Sequence, residues 1–240
     1  MSGGKITLIT FDLDNTLWDV ETVIRGAERA LQGWLADHAP RVREEHDTDA
    51  MMAIRQKLVA DEPGLAHNLS ELRRRSIETA LNRSGYSDAE AMSWTAFELF
   101  IHHRHQVDYY PQALQTLANL AERYALVALS NGNADIERLG LSHLFKETFS
   151  AAKVGRSKPA PDMFHVALEW AGAEPAAAVH VGDHPRDDIA AADAVGMHTV
   201  WVPHHSHDHD RHGAPERVSA TASSLADVPL AIEGIERGLE

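Results

Sequence analysis

The sequence predicts an α/β fold: a Rossmann-like core of three layers, α/β/α, with an all-helical domain inserted after the first strand. One observation is the apolar run ITLITF at residues 6–11, which ends in Asp12 and has no strand pattern near it in the chain. Another is the alternation of short β-favouring runs with amphipathic helical patterns from residue 108 onward. Alternation of this kind is typical of a parallel sheet whose strands are joined by right-handed helical crossovers.

The domain boundaries follow from where each pattern occurs. We expect residues 1–18 and 108–240 to form the parallel-sheet core and residues 19–107 to form the helical domain. In DVETVIRGAERALQGWLADHAP, apolar residues recur on one helical face until Pro40 ends the helix. Since the opening strand has no local partner, it should join the later strands in one sheet.

Four later stretches complete the predicted sheet. ALVALS ends near Ser130, and a short strand surrounds Phe149. AVHVGD and HTVWV follow, separated by the helical pattern DDIAAADAVG, and PDMFHVALEWAG supplies a further helix. These runs are rich in β-branched and aromatic residues and are bounded by turn residues, as strands are.

Composition limits the classes of partner. The 240 residues carry a formal net charge of −14, and no cysteine is present. So negative a charge argues against nucleic acid or an anionic membrane as the main partner, since either would require a clustered basic face. The N-terminus lacks the pattern of a secretory signal and no apolar run reaches membrane-spanning length, so we expect a cytoplasmic protein.

Polar residues collect where the predicted strands end. Ligands of parallel α/β sheets bind beyond the carboxyl ends of the strands, so these residues should meet at one edge. They are Asp12, Asp14, Ser130, Asn131, Lys158, Asp183, Asp187 and Asp188.

Several carboxylates at one edge of a sheet need a positive charge nearby, because like charges cannot all ionise when crowded. The candidate ligands are oxygen atoms, without Cys or His among them, and this set suits a hard cation such as Mg²⁺. The sequence therefore predicts a magnesium site at this edge.

Four stretches, DLDNT, LSNGN, SKP and GDHPRDD, resemble in order and spacing the four signature motifs of the haloacid dehalogenase superfamily. The resemblance covers essentially the whole chain, and the helical insert stands where that superfamily carries a small helical cap. SKPAPDMF and NLSELRRRSIETAL further resemble a bacterial branch that acts on flavin mononucleotide and a phosphorylated riboflavin precursor.

The resemblance implies a role for each polar residue. Asp12 would attack phosphorus as the nucleophile, and Asp14 would protonate the leaving group and then activate water. Mg²⁺ would be held by the side chains of Asp12 and Asp183 and by the backbone carbonyl of Asp14.

Three further positions would bind the phosphoryl oxygens: Ser130, the backbone N–H of Asn131, and Lys158. Asp188 or Asp187 would orient Lys158 or a metal-bound water, and Asp187 could instead be a helix N-cap. Thr16 would brace the loop that carries the nucleophile, or only cap a turn.

The predicted function is Mg²⁺-dependent hydrolysis of a small phosphomonoester. A phosphomutase of the β-phosphoglucomutase kind would keep both aspartates and is an alternative. A 2-haloacid dehalogenase of the same fold needs no general acid, so the presence of Asp14 disfavours it. An inactive binding module is the non-enzyme alternative, and the intact charge cluster disfavours it.

Two features stay open. The run Arg73, Arg74 and Arg75 either approaches an anionic or aromatic group of the substrate or forms a solvated helix face. Five histidines within residues 204–212 form either a metal-binding tract or a polar loop. The dense alternation of His and Asp has no fixed ligand geometry, which favours the loop. The oligomeric state is not predicted.

Overall fold

A computed structural model describes residues 5–203 and 213–239, so the His-rich stretch 204–212 lies outside the described residues. The chain forms two compact units, with boundaries after Asp19 and after Val107. The core unit contains the chain on either side of these boundaries, and the helical unit is Val20–Val107.

The core unit contains a parallel sheet of six strands in the order β3-β2-β1-β4-β5-β6. The strands are β1 (Leu8–Phe11), β2 (Ala125–Ser130), β3 (Glu147–Ser150), β4 (Ala178–Gly182), β5 (His198–Trp201) and β6 (Ala220–Thr221). The parallel sheet is confirmed, and the opening strand does join the later ones, between β2 and β4. The two-residue strand β6 was not predicted, because so short a run leaves no periodic pattern.

The helical unit consists of α1 (Val20–His38), α2 (Pro40–Glu45), α3 (Thr48–Asp61), α4 (Leu69–Arg83) and α5 (Ala89–Arg104), with a 3₁₀ turn at Pro63–His67. Its own hydrophobic core includes Leu31 and Leu35 from α1, Ile77 from α4 and Phe100 from α5. The apolar face predicted for the first helix is therefore buried within the unit.

The three consecutive arginines of α4 each pair with a glutamate of the same unit. Arg73 contacts Glu28 at 2.7 Å, and its guanidinium lies 3.8 Å from the centre of the Phe100 ring. Arg74 contacts Glu71 and Glu78, and Arg75 contacts Glu62. The charge of this run is thus offset locally.

Helices cover the sheet of the core unit. They are α6 (Ala113–Ala121), α7 (Ala151–Val154), α8 (Asp162–Ala171), α9 (Ala191–Val195) and α10 (Val228–Leu239), with a π-helical turn at Pro185–Ala190 and 3₁₀ turns at Pro175–Ala177 and Leu225–Asp227. Leu8, Val127 and Leu129 share one buried cluster with Met163 and Phe164 of α8.

All four residues of β1 are buried, as expected for a central strand of a parallel sheet that is covered on both faces. Within the described residues, no helix has the length and apolar character needed to cross a membrane.

Candidate active site

The order of the strands brings three of the predicted residues to one edge of the sheet. Because β1 lies between β2 and β4, the residues at their carboxyl ends, Asp12, Ser130 and Asp183, are neighbours. The backbone N–H of Asp12 donates to the carbonyl of Val181 at 2.9 Å, which continues the β1–β4 pairing up to the carboxylate. Asp12 therefore stands on a rigid, buried strand end.

Lys158 is the cation of the site, and its side chain is almost completely buried. Its Nζ donates to Asp12 Oδ1 at 2.6 Å, to Asp188 Oδ1 at 2.6 Å and to the carbonyl oxygen of Leu129 at 2.9 Å. An ammonium group has three N–H donors, so these three acceptors use its full donor capacity. Lys158 is held in one position between two carboxylates.

The loop after β2 holds the backbone of Lys158. The Asn131 side chain donates through Nδ2 to the Lys158 carbonyl at 2.9 Å and accepts the Lys158 N–H at 2.7 Å. Ser130 is buried, and its Oγ accepts the N–H of Gly132 at 2.9 Å. This side-chain role of Asn131 was not predicted, because residues 131 and 158 are far apart in the chain and no local pattern indicates their contact.

Thr16 lies between two of the carboxylates. Its hydroxyl oxygen is 3.1 Å from Asp12 Oδ2 and 3.2 Å from Asp183 Oδ1. A hydroxyl has a single proton to donate, so it can bond only one of the two fully at any moment. The side chain is buried and contacts both carboxylates, which is more than the capping of a turn requires.

Three carboxylates form a group that can bind a cation. Asp12, Asp183 and Asp188 each offer an oxygen, and these oxygens all lie within 4.8 Å of one another. When all three are ionised, Lys158 offsets one charge and two negative charges remain. A set of hard oxygen donors with that surplus fits a divalent cation.

The pKa values of these groups reflect the crowding. Burial, together with the charge of Asp188, raises the pKa of Asp12 to about 7 although Lys158 opposes the shift. Burial and the charges of Asp12 and Asp188 raise the pKa of Asp183 well above its ordinary value. With Lys158 as the cation, protons are therefore retained on Asp12 and Asp183 at a pH where exposed carboxyl groups are ionised.

Asp188 behaves in the opposite way. Burial alone would raise its pKa, but the charge of Lys158 and a hydrogen bond from His180 outweigh burial and lower it. The pKa of Lys158 is raised, because its two carboxylate partners outweigh the penalty of burial. Asp188 and Lys158 therefore both stay charged and form an ion pair within the site.

The structure distinguishes the two consecutive aspartates. Asp188 accepts a hydrogen bond from Lys158 at 2.6 Å, whereas Asp187 Oδ1 lies 3.9 Å from Nδ1 of the His184 ring. The interpretation of Asp187 as a helix N-cap is wrong. His184 is the N-cap, and its Nδ1 accepts the N–H groups of Arg186 and Asp187.

Two residues inside the sheet extend the site, and neither was predicted from the sequence. Thr10 and His180 are paired in register on β1 and β4, and both are completely buried. The Thr10 hydroxyl lies 2.8 Å from His180 Nδ1, and His180 Nε2 lies 3.2 Å from Asp188 Oδ1. An ionised Asp188 can only accept, which places the ring proton on Nε2 and leaves Nδ1 to accept from Thr10. Thr10 and His180 are polar residues within apolar strands, and this was the signal in the sequence that could have indicated their role.

Asp14 is partly buried, and its side chain is turned to a different partner. Among the described residues, the group of three carboxylates does not include Asp14. Its Oδ1 accepts the indole N–H of Trp18 at 2.9 Å. The expected cation ligand of Asp14 is its backbone carbonyl, and that stays a prediction.

Comparison with known proteins finds a matching family and several phosphatases of similar sequence. Residues 6–196 match the family described as haloacid dehalogenase-like hydrolase. The 5-amino-6-(5-phospho-D-ribitylamino)uracil phosphatase YigB of Escherichia coli is 35% identical over 201 residues, which cover 83% of this chain and 84% of that protein. The ribulose-1,5-bisphosphate 5-phosphatase of Halopiger xanaduensis is 29% identical over 211 residues, which cover 81% of this chain and 83% of that protein.

A solved structure is similar along almost the whole chain. A protein from Pseudomonas syringae pv. Tomato, described as a 2-haloacid dehalogenase, is 39% identical and superposes with a TM-score of 0.87. The match covers 95% of this chain and 98% of that one.

Gly182, at the end of β4, leaves room for Asp188. A Cβ at position 182 would lie 2.5 Å from the Asp188 Cγ, so we expect Gly182→Ala to push Asp188 away from Lys158 and to destabilise the protein by about 1–3 kcal/mol. The free energy of unfolding in urea measures this. The control is Gly234→Ala in α10, where the nearest atom is the end of a flexible arginine at 3.9 Å. Alanine favours a helix, so the control should be neutral or stabilising. A loss that is equal in both variants would contradict the close approach.

Proposed function

The chain belongs to the haloacid dehalogenase-like hydrolase family, and on this premise we propose that it is a Mg²⁺-dependent phosphatase that forms an aspartyl-phosphate on Asp12. The observation that carries the proposal is the group of Asp12, Asp183 and Asp188 beside Lys158, which carries a surplus of two negative charges when all three carboxylates are ionised. Asp14, two residues after Asp12, adds the proton donor that an ester requires.

The reaction follows from these positions. The Asp12 carboxylate attacks phosphorus, the ester P–O bond breaks, and the leaving oxygen takes a proton from Asp14. Water then attacks the phosphorus of the aspartyl-phosphate and gives a proton to Asp14, and the bond between phosphorus and the Asp12 carboxylate oxygen breaks. The products are the alcohol and inorganic phosphate, and both aspartates return to their starting forms.

Lys158 has a defined part in this scheme. The Asp188 carboxylate and the Leu129 carbonyl accept two of its hydrogen bonds and so fix its ammonium group. Its third hydrogen bond, to Asp12, is the one that an incoming phosphoryl oxygen can share. A fixed positive charge there stabilises the charge that develops on those oxygens. Ser130 and the backbone N–H of Asn131 complete the binding of the phosphoryl group in this proposal.

Asp12, Asp183 and the backbone carbonyl of Asp14 would hold the cation. Asp188 is better explained as a positioning residue. Its Oδ1 accepts from Lys158 and His180, and its Oδ2 accepts the N–H of His184 at 3.0 Å. When bound, Mg²⁺ would offset the surplus negative charge and polarise the phosphoryl group.

The helical unit, Val20–Val107, is proposed as the cap that selects the substrate. The name of the Escherichia coli relative supports 5-amino-6-(5-phospho-D-ribitylamino)uracil as the first compound to examine. The resemblance of SKPAPDMF and NLSELRRRSIETAL to the flavin mononucleotide branch adds that compound as the second. The identity of 35% over most of both chains supports this order of examination.

A 2-haloacid dehalogenase is the second candidate, favoured by the 39% identical structure from Pseudomonas syringae. In that reaction an aspartate attacks carbon and a halide leaves without a proton. Neither Asp14 nor the cation-binding group would then take part in the reaction. The phosphatase explains more of the buried charge and is therefore preferred.

One panel of assays separates these functions. We expect inorganic phosphate to be released from p-nitrophenyl phosphate and from 5-amino-6-(5-phospho-D-ribitylamino)uracil with Mg²⁺, and not with EDTA. Chloride should not be released from 2-chloropropionate. Chloride release without phosphate release would establish the dehalogenase, and isomerisation of a sugar phosphate without net release would indicate a mutase.

Removal of the nucleophile tests the covalent step. Asp12→Asn should lower kcat for p-nitrophenyl phosphate by at least about 10³-fold, because the amide cannot attack phosphorus. The fold should persist, since the change also removes one of the crowded charges, and circular dichroism checks this. Asp193→Asn alters an aspartate of α9 that pairs with Arg217, and it should keep its rate. A near-normal rate in Asp12→Asn would rule out an aspartyl-phosphate at that position.

A further inference from the structure

We propose that Trp18 is a positioning residue for Asp14: its indole N–H fixes which carboxyl oxygen of Asp14 exchanges protons with the substrate. The inference rests on the proposed function, in which Asp14 is the general acid and base. Trp18 is completely buried, and its Nε1 donates to Asp14 Oδ1 at 2.9 Å. A buried indole N–H therefore bonds directly to the proposed proton donor.

The backbone between the two residues is a tight turn that brings them together. Asn15 has a φ of 64°, in the left-handed region that reverses the chain. The N–H of Asn15 donates to the Trp18 carbonyl at 2.8 Å, and the N–H of Leu17 donates to the Leu13 carbonyl at 2.8 Å. The turn therefore holds position 18 beside position 14 without help from the side chains.

A second segment of the core unit fixes the indole ring. Trp18 forms an antiparallel bridge with Tyr109, and the N–H of Tyr110 donates to the Leu17 carbonyl at 2.8 Å. The Tyr109 ring meets the indole edge to face at 5.8 Å, and its hydroxyl donates to the Leu139 carbonyl at 3.1 Å. The donor that Trp18 presents to Asp14 is thus rigid.

A rigid N–H donor acts on the carboxyl group in a definite way. An indole N–H can donate but cannot accept, so Asp14 Oδ1 remains an acceptor. Because a carbonyl-type oxygen accepts better than the hydroxyl oxygen of a carboxylic acid, the transferable proton is favoured on Oδ2. The same oxygen then delivers the proton to the leaving group and receives one from water. Holding the proton at one atom supports both half-reactions.

The test uses aryl phosphates whose leaving groups range from p-nitrophenol to phenol. Removing the N–H in Trp18→Phe should matter more as the leaving group needs more protonation. We expect kcat/KM for p-nitrophenyl phosphate to change less than about twofold and that for phenyl phosphate to fall at least about tenfold. This ratio reports the steps up to formation of the aspartyl-phosphate. A merely structural defect would lower both by the same factor, and that result would overturn the inference.

Three controls sharpen the result. Trp170→Phe makes the same change at a tryptophan of α8 that is 44% exposed, so its dependence on the leaving group should match the wild type. Asp14→Asn should show the steepest dependence, and adding Trp18→Phe to it should change nothing further. A further loss in that double variant would show that Trp18 acts independently of Asp14 and would overturn the inference.

A variant that keeps the shape of tryptophan covers the case in which Trp18→Phe fails to fold. 3-Benzothienylalanine, introduced at position 18 by amber suppression, replaces the N–H by sulfur and should give the same selective loss for phenyl phosphate. An unchanged profile in this variant would overturn the inference. If the wild type hydrolyses none of the esters with Mg²⁺, the proposed function itself fails, and this inference falls with it.

Discussion

The three hydrogen bonds of the buried Lys158 ammonium group connect parts of the chain that are far apart in sequence. They join the end of β1 at Asp12, the end of β2 at Leu129 and the turn after β4 at Asp188. A buried cation is costly unless it is paired and hydrogen-bonded, and here every donor has an acceptor. The same bonds leave the site short of positive charge, because one lysine faces three carboxylates. A further cation would offset this imbalance when all three carboxylates are ionised.

Residues inside the sheet extend the hydrogen bonding of the ion pair between Asp188 and Lys158. Thr10 and His180 lie in register on adjacent strands, and through them the hydrogen bonding of Asp188 continues into the buried interior. Gly182 allows the Asp188 side chain to approach the strand closely, and Asp188 Oδ2 accepts the His184 N–H at 3.0 Å. The polar site is therefore built on a rigid base, which keeps charged groups at fixed distances.

Much of the fold was predictable from the sequence, because alternating strand and helix patterns limit the topology of a parallel sheet. The neighbourhood of Asp12, Lys158 and Asp183 was also predictable, since the ends of parallel strands meet at one edge. The sequence could not decide between Asp187 and Asp188. That choice depends on the π-helical turn at Pro185–Ala190 and on the room beside Gly182, and neither leaves a periodic signal. The contacts of Asn131, His180 and Trp18 depend on tertiary register or on turn geometry, which local patterns do not encode.

Calorimetric titration with Mg²⁺ tests the charge imbalance most directly, without any substrate. The wild type should bind one cation, and Asp183→Asn should weaken that binding at least about tenfold, because it removes a ligand and a negative charge together. Asp193→Asn, which alters a carboxylate paired with Arg217, should bind as the wild type does. Equal affinity in the wild type and in Asp183→Asn would contradict a cation site between Asp12 and Asp183.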